Sequence, residues 1–179
     1  MKILLHICCA TCAIFPVKVL REANETVTGF FYNPNIHPYT EYRKRIASIS
    51  DYAKASELEV LFQDEYGLED FLAHVAQEPD MRCGYCYETR LRRTAEFAVA
   101  HGFDAFTTSL LASPYQDHEA IHAFGRELAE LFNIPFLYED FRIGWNEALK
   151  TSRSMGLYHH IYCGCIYSEK DSFYPIRTN

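Results

Sequence analysis

The chain has 179 residues, a length that suits one catalytic domain spanning 1–179 with room for a substantial core. Apolar residues make up 49% of it, which excludes a disordered chain, and 13 Tyr with 13 Phe suit a packed α/β domain. The net charge of -7 excludes attachment to nucleic acid by bulk positive charge, and leaves two local basic runs: Arg43, Lys44 and Arg45, and Arg90, Arg92 and Arg93.

Lys2 to Ile7 is a short apolar run that predicts a buried first strand, and the pattern behind it predicts a helix with Pro16 in its first turn. Val27 to Tyr32 predicts a second strand, closed by the turn-forming NPNIHP. Tyr42, Ile46, Ile49 and Ala53 recur at helical spacing, which turns Arg43, Lys44 and Arg45 towards solvent. Glu59 to Gln63 is a third strand, Leu68 to Gln77 a helix, and EPDMRCGYCYE a loop before a helix with Leu91, Ala95, Ala98 and Val99 on one face. Ala105 to Leu111 predicts a fourth strand, SPYQD a loop, and Ile121, Phe124, Leu128 and Leu131 mark the next helix. Ile134 to Tyr138 predicts a fifth strand, and the tail after Gly144 reads as helix, then a loop holding Cys163 and Cys165. Strands alternating with helices imply a Rossmann-like parallel sheet with helices on both faces, whose ligands collect beyond the carboxyl ends of the strands.

The seven cysteines fall into CCATC (Cys8, Cys9, Cys12), CGYC (Cys83, Cys86) and CGC (Cys163, Cys165). No secretory leader is legible and no apolar run is long enough to span a bilayer, so the expectation is a cytoplasmic protein with reduced thiols. One isolated Cys is usually a small buried hydrophobe, whereas three tight groups point to metal ligation or redox chemistry. Cys9, Cys12, Cys83 and Cys86 offer one four-thiolate set, which zinc or an iron–sulfur centre accepts equally. The three remaining thiols suit a second metal or a redox disulfide. Cys12 at a helix start gains thiolate character from the helix dipole.

HICCATC at 6–12, GFFYNPNIHPYTEYRKR at 29–45, DMRCGYCYETRL at 80–91, TTSLLASPYQDHEAI at 107–121 and YCGCIYSE at 162–169 together resemble the QueH-type epoxyqueuosine reductases, over nearly the whole chain. Thr11 departs from the family, which commonly has proline there, and this bears on loop stiffness more than on ligation. The resemblance implies an α/β layer like that of adenine-nucleotide α-hydrolases. It also implies two-electron deoxygenation of epoxyqueuosine to queuosine in a tRNA anticodon, without cobalamin, using a [4Fe-4S] cluster beside a second, mononuclear iron. All seven cysteines are then expected at the metal site, with Cys8, Cys9, Cys83 and Cys86 as the cofactor-binding set. The electron donor is external.

Cys163, Cys165, Asp117 and His118 are the candidate catalytic residues; Asp117 reads equally well as a helix N-cap and His118 as an exposed helix residue. Asn33, His37, Tyr39, Arg43, Arg45 and Arg82 are the candidate substrate-binding residues, although Asn33 suits a turn-fixing role and the Arg43–Arg45 run suits a solvated face. His6 is expected to be buried by strand alternation. Two other classes compete: a metal-free thiol redox protein and a zinc-stabilised binding module. An ATP-dependent sulfur-transfer enzyme is disfavoured, because the first strand ends in cysteines and not in a phosphate-binding loop.

Overall fold

In a computed structural model that describes residues 1–174, four strands form one parallel sheet: β1 (Lys2–His6), β2 (Thr26–Phe31), β3 (Val60–Phe62) and β4 (Ala105–Thr108), in the order β3-β2-β1-β4. Leu5 lies opposite Gly29, and His6 opposite Phe30 on one side and Thr108 on the other. The helices are α1 (Ala10–Glu22), α2 (Tyr39–Ala55), α3 (Leu68–Val75), α4 (Arg82–Ala100), α5 (His118–Phe132), α6 (Trp145–Ser154) and α7 (Ile166–Phe173). Among the described residues no helix is long and apolar enough to cross a membrane.

Strand alternation divides the core into two layers. Ile3, Leu5, Ile7, Val27 and Phe31 pack with Ala13, Val17 and Leu20 of α1, Tyr42 and Ile49 of α2, and Ala148 of α6. Leu4, Phe30 and Phe106 pack on the other face with Leu91 and Ala95 of α4 and Ile121 and Leu128 of α5. Both faces of the sheet are therefore covered, as the alternating pattern predicts. Gly29 on β2 leaves room for the Ile7 side chain, since a Cβ there would stand 2.6 Å from Ile7 Cδ1 and force it to shift.

Five sequence expectations need correction. Pro16 lies in the second turn of α1, not the first, so it gives the Cys12 carbonyl no helical hydrogen bond. The CGYC segment is not a loop, because α4 starts at Arg82 and carries both cysteines in its opening turns. The fourth strand stops at Thr108, whose hydroxyl accepts from Leu110 N at 3.1 Å and starts a 3₁₀ turn over Ser109–Ala112. Ile134 to Tyr138 is no strand: it touches the sheet by one bridge at Phe136, since Pro135 has no N–H to continue a ladder. Arg45 does not face solvent; it is 2% exposed.

Candidate metal centre and its cavity

The carboxyl end of β1 delivers the first thiol group directly into the start of α1. Cys9 is the N-cap, with extended backbone, and its Sγ accepts from Cys12 N at 3.4 Å. A capping sulfur normally cedes place to oxygen, so its use here keeps three sulfurs together at the positive end of a helix. Sγ of Cys8, Cys9 and Cys12 all lie within 4.8 Å of one another, and all three residues are buried. Ser109, in the turn after β4, accepts from Cys8 N at 3.1 Å and offers its hydroxyl to Cys8 Sγ at 3.4 Å. Hydrogen bonds from Cys12 and Cys9 hold the Cys8 thiol well below its ordinary value, and the bond to Cys8 raises Cys12 correspondingly.

Cys86 faces inward from α4 and Cys83 outward. Burial pushes the Cys86 thiol up to about 12, against the opposing pull of Arg90. Its sulfur nonetheless accepts from Arg90 Nη2 at 2.8 Å and Asn35 Nδ2 at 3.1 Å, a pair of donors suited to thiolate or metal-bound sulfur. Arg90 is itself buried and meets no carboxylate among the described residues. Such a guanidinium calls for a negative partner, and among the described residues Cys86 Sγ is the side-chain acceptor it meets.

The CGC segment is held in place by the turn after β2 and by α2. Arg45 is paired with Glu41 at 2.8 Å and donates to the carbonyls of Cys163 (2.8 Å) and Tyr162 (3.0 Å). His37 receives Ile166 N on Nδ1 at 3.3 Å, while its own N–H reaches Gly164 O at 2.8 Å. Gly164 has φ of +155°, which a side chain resists, and a Cβ there would stand 3.3 Å from Ile36. Cys165 caps α7 with its sulfur, whereas Cys163 is exposed and accepts from Gln116 Nε2 at 3.3 Å. Tyr87 orients that glutamine through Oε1 at 3.0 Å.

Cys8, Cys12 and Cys163 open onto one cavity of about 570 Å³. Its walls also carry Arg45, Arg90 and Arg153, with no Asp or Glu. In a chain of net charge -7 this is a local reversal of sign, and it fits an anionic ligand.

The other expected site residues occupy various positions. Asn33 is fully buried and ties its Nδ2 to Ile7 O at 2.9 Å and its Oδ1 to His6. His6 is buried as alternation implies, and burial with the nearby Arg90 lowers it to about 4. Asp117 caps α5, accepting from Ala120 N, and His118 directs Nε2 to Ser113 O at 3.2 Å; neither lines the cavity. Tyr39 is exposed away from it, Arg43 pairs with Asp64 at the surface, and Arg82 pairs with Asp171 of α7. Only Cys8, Cys9 and Cys12 lie within 4.8 Å of one another as a group of three among the described residues, a distance that suits a single ion. Sequence reasoning missed Trp145, Arg153, His159 and His160, all on the cavity wall. The adjacent histidines just ahead of CGC were the available signal.

A parallel α/β layer with a thiol-lined, cationic cavity at its carboxyl edge defines a cysteine-centred enzyme of the Rossmann-like class. The model of the family described as epoxyqueuosine reductase QueH matches residues 3–171, and the chain belongs to that family. It is an oxidoreductase. The epoxyqueuosine reductase QueH of Dehalococcoides mccartyi is 33% identical over 172 residues, covering 96% of this chain and 94% of the relative. That of Thermotoga maritima is 34% identical over 176 residues, covering 93% and 89%. That of Streptococcus pyogenes is 30% identical over 181 residues, covering 94% and 71%.

Proposed function

We propose that this chain reduces epoxyqueuosine to queuosine at the wobble position of a tRNA anticodon, using a [4Fe-4S] cluster and an adjacent iron ion. The observation that carries the reading is the buried trio of Cys8, Cys9 and Cys12, of which Cys8 and Cys12 line a cavity that bears three arginines and no carboxylate among the described residues. The donor set fits an iron–sulfur group: soft thiolates, a helix N-terminus beneath them, and two buried guanidinium groups to offset anionic charge. Cys8 and Cys9, with Cys83 and Cys86 of α4, are assigned to the cluster; Cys12, Cys163 and Cys165 remain for the second iron or for redox work. When bound, the group supplies single electrons and draws charge from the epoxide oxygen.

The chain's own residues handle position and protons. Converting an epoxide to an alkene and water consumes two electrons and two protons. His160 gives Nδ1–H to Tyr162 O at 2.8 Å, and burial with Arg45 lowers it to about 4, so it is a neutral acceptor at physiological pH. His159 heads a chain of hydroxyls: its Nε2 meets Ser152 Oγ at 3.2 Å, which meets Thr11 Oγ1 at 2.8 Å, between Cys9 and Cys12 in sequence. Asp117 and His118, which do not line the cavity, act through the loop that carries Gln116. Electrons come from an external low-potential donor.

Anaerobic purification with iron and sulfide analysis and a visible spectrum tests the cofactor assignment. The expected result is iron in excess of sulfide, with a broad visible band that bleaches with dithionite. Stoichiometric zinc in active protein, or active metal-free protein, would contradict it.

A further inference from the structure

The face of α6 turned to the cavity carries Trp145, Leu149 and Arg153, at i, i+4 and i+8, so the three form one stripe two turns long. Across the opening stands Tyr115, on the loop before α5, also lining the cavity. Its ring meets that of Trp145 edge-to-face, with centroids 6.2 Å apart and planes at 85°. Tyr115 is 82% exposed, an unusual position for so large an apolar side chain unless a ligand covers it. Arg153 is exposed and makes no hydrogen bond or ion pair among the described residues, while every other arginine on the cavity wall is buried and engaged.

These positions define a rim with one exposed cation and two aromatic rings, above walls that carry no carboxylate among the described residues. Planar ligands of low polarity would need no cation, and a simple anion would need no aromatic pair. A nucleotide in a single strand needs both, a π surface for the base and a donor for the phosphate. An acidic protein can hold RNA only through such a local site.

We propose that Tyr115, Trp145 and Arg153 form the RNA clamp at the cavity mouth: an unstacked base packs against Tyr115 and Trp145, and Arg153 receives a backbone phosphate. The assignment rests on the tRNA substrate of the preceding reading and locates its binding surface. It adds an exposed cation to the Arg43–Arg45 run, of which Arg45 lines the cavity but donates to Glu41 and the CGC carbonyls, and Arg43 pairs with Asp64 at the surface.

Trp145 is the only tryptophan, so its fluorescence reports on this rim without turnover. The experiment titrates the anaerobically purified protein with an unmodified anticodon stem-loop RNA, and separately with a blunt duplex of equal length. Saturable quenching by the stem-loop and a weaker response to the duplex are expected. Tyr115→Ala should bind the stem-loop at least about fivefold more weakly, with metal content and visible spectrum unchanged. Arg153→Gln should reduce the slope of log affinity against log salt by about 0.7, the contribution of one single-strand phosphate. Fluorescence indifferent to the stem-loop, equal affinity for the duplex, or both variants binding like the parent would overturn the clamp. The conversion assay reports separately on the reaction: a protein that binds the stem-loop as described but never deoxygenates its base retains the clamp and loses the reductase reading.

Discussion

Arg90 shows how one side chain connects the fold to the chemistry. Its guanidinium is buried against Cys86 Sγ and touches no carboxylate among the described residues. Burying such a charge costs several kcal/mol, so its retention is consistent with an anionic centre it must face. Arg90→Met should therefore leave the denaturation midpoint of the metal-free protein unchanged or higher, while the protein as isolated retains less iron. Iron content equal to the parent's would contradict that role. Neither buried arginine stood out as buried in a sequence where RKR and RLRR read as solvated charge. The signal was nevertheless present: Tyr42, Arg45, Ile49 and Tyr52 share one helical stripe, as do Tyr87, Arg90, Leu91 and Thr94. An arginine in the middle of an apolar stripe is the mark of a buried cation with a fixed partner.

At the level of elements, the helix start at CCATC was legible in the sequence, whereas the one at CGYC was not. CGYC looked like a loop because Gly and Pro crowd its approach, yet Cys86 can face inward only because α4 begins at Arg82. The fifth strand failed for a local reason: Phe106 exchanges hydrogen bonds with Pro135 O and Leu137 N, at 3.0 and 2.9 Å, and Pro135 cannot donate to extend the pairing. What holds that segment is packing against α5. Gly125 approaches Phe136 so closely that a Cβ would stand 2.3 Å from its ring. Gly125→Ala should cost about 1–3 kcal/mol, seen as a lower urea midpoint, through displacement of α5 or Phe136. An unchanged midpoint would mean that the segment yields freely and contributes little.

For the molecule as a whole, the parallel sheet with both faces covered was readable from alternation alone, and so was the expectation that chemistry gathers at the strands' carboxyl ends. The cavity was not, since its wall joins α1, α2, α4, α6 and the segment before α7 across the whole length of the chain. The same burial makes the molecule acid-sensitive. His6, His37 and His160 are each lowered to about 4, burial being the largest cause, against 6.5 when unfolded. As pH falls below 6.5 the unfolded chain binds protons that the folded chain refuses, so stability drops progressively between about 6.5 and 4; above 6.5 these groups add no pH dependence. Urea unfolding at a series of pH values should show the midpoint falling through that window, and a flat profile would contradict neutral buried imidazoles.

The most direct measurement is a single-turnover reaction under anaerobic conditions. Iron-loaded protein, dithionite and tRNA bearing epoxyqueuosine are mixed, and the nucleosides are separated and weighed by mass spectrometry. The account predicts queuosine, formed by loss of one oxygen, in the loaded protein and none after iron is removed. Conversion that survives complete iron removal, or a loaded protein that leaves the epoxide intact, would contradict it.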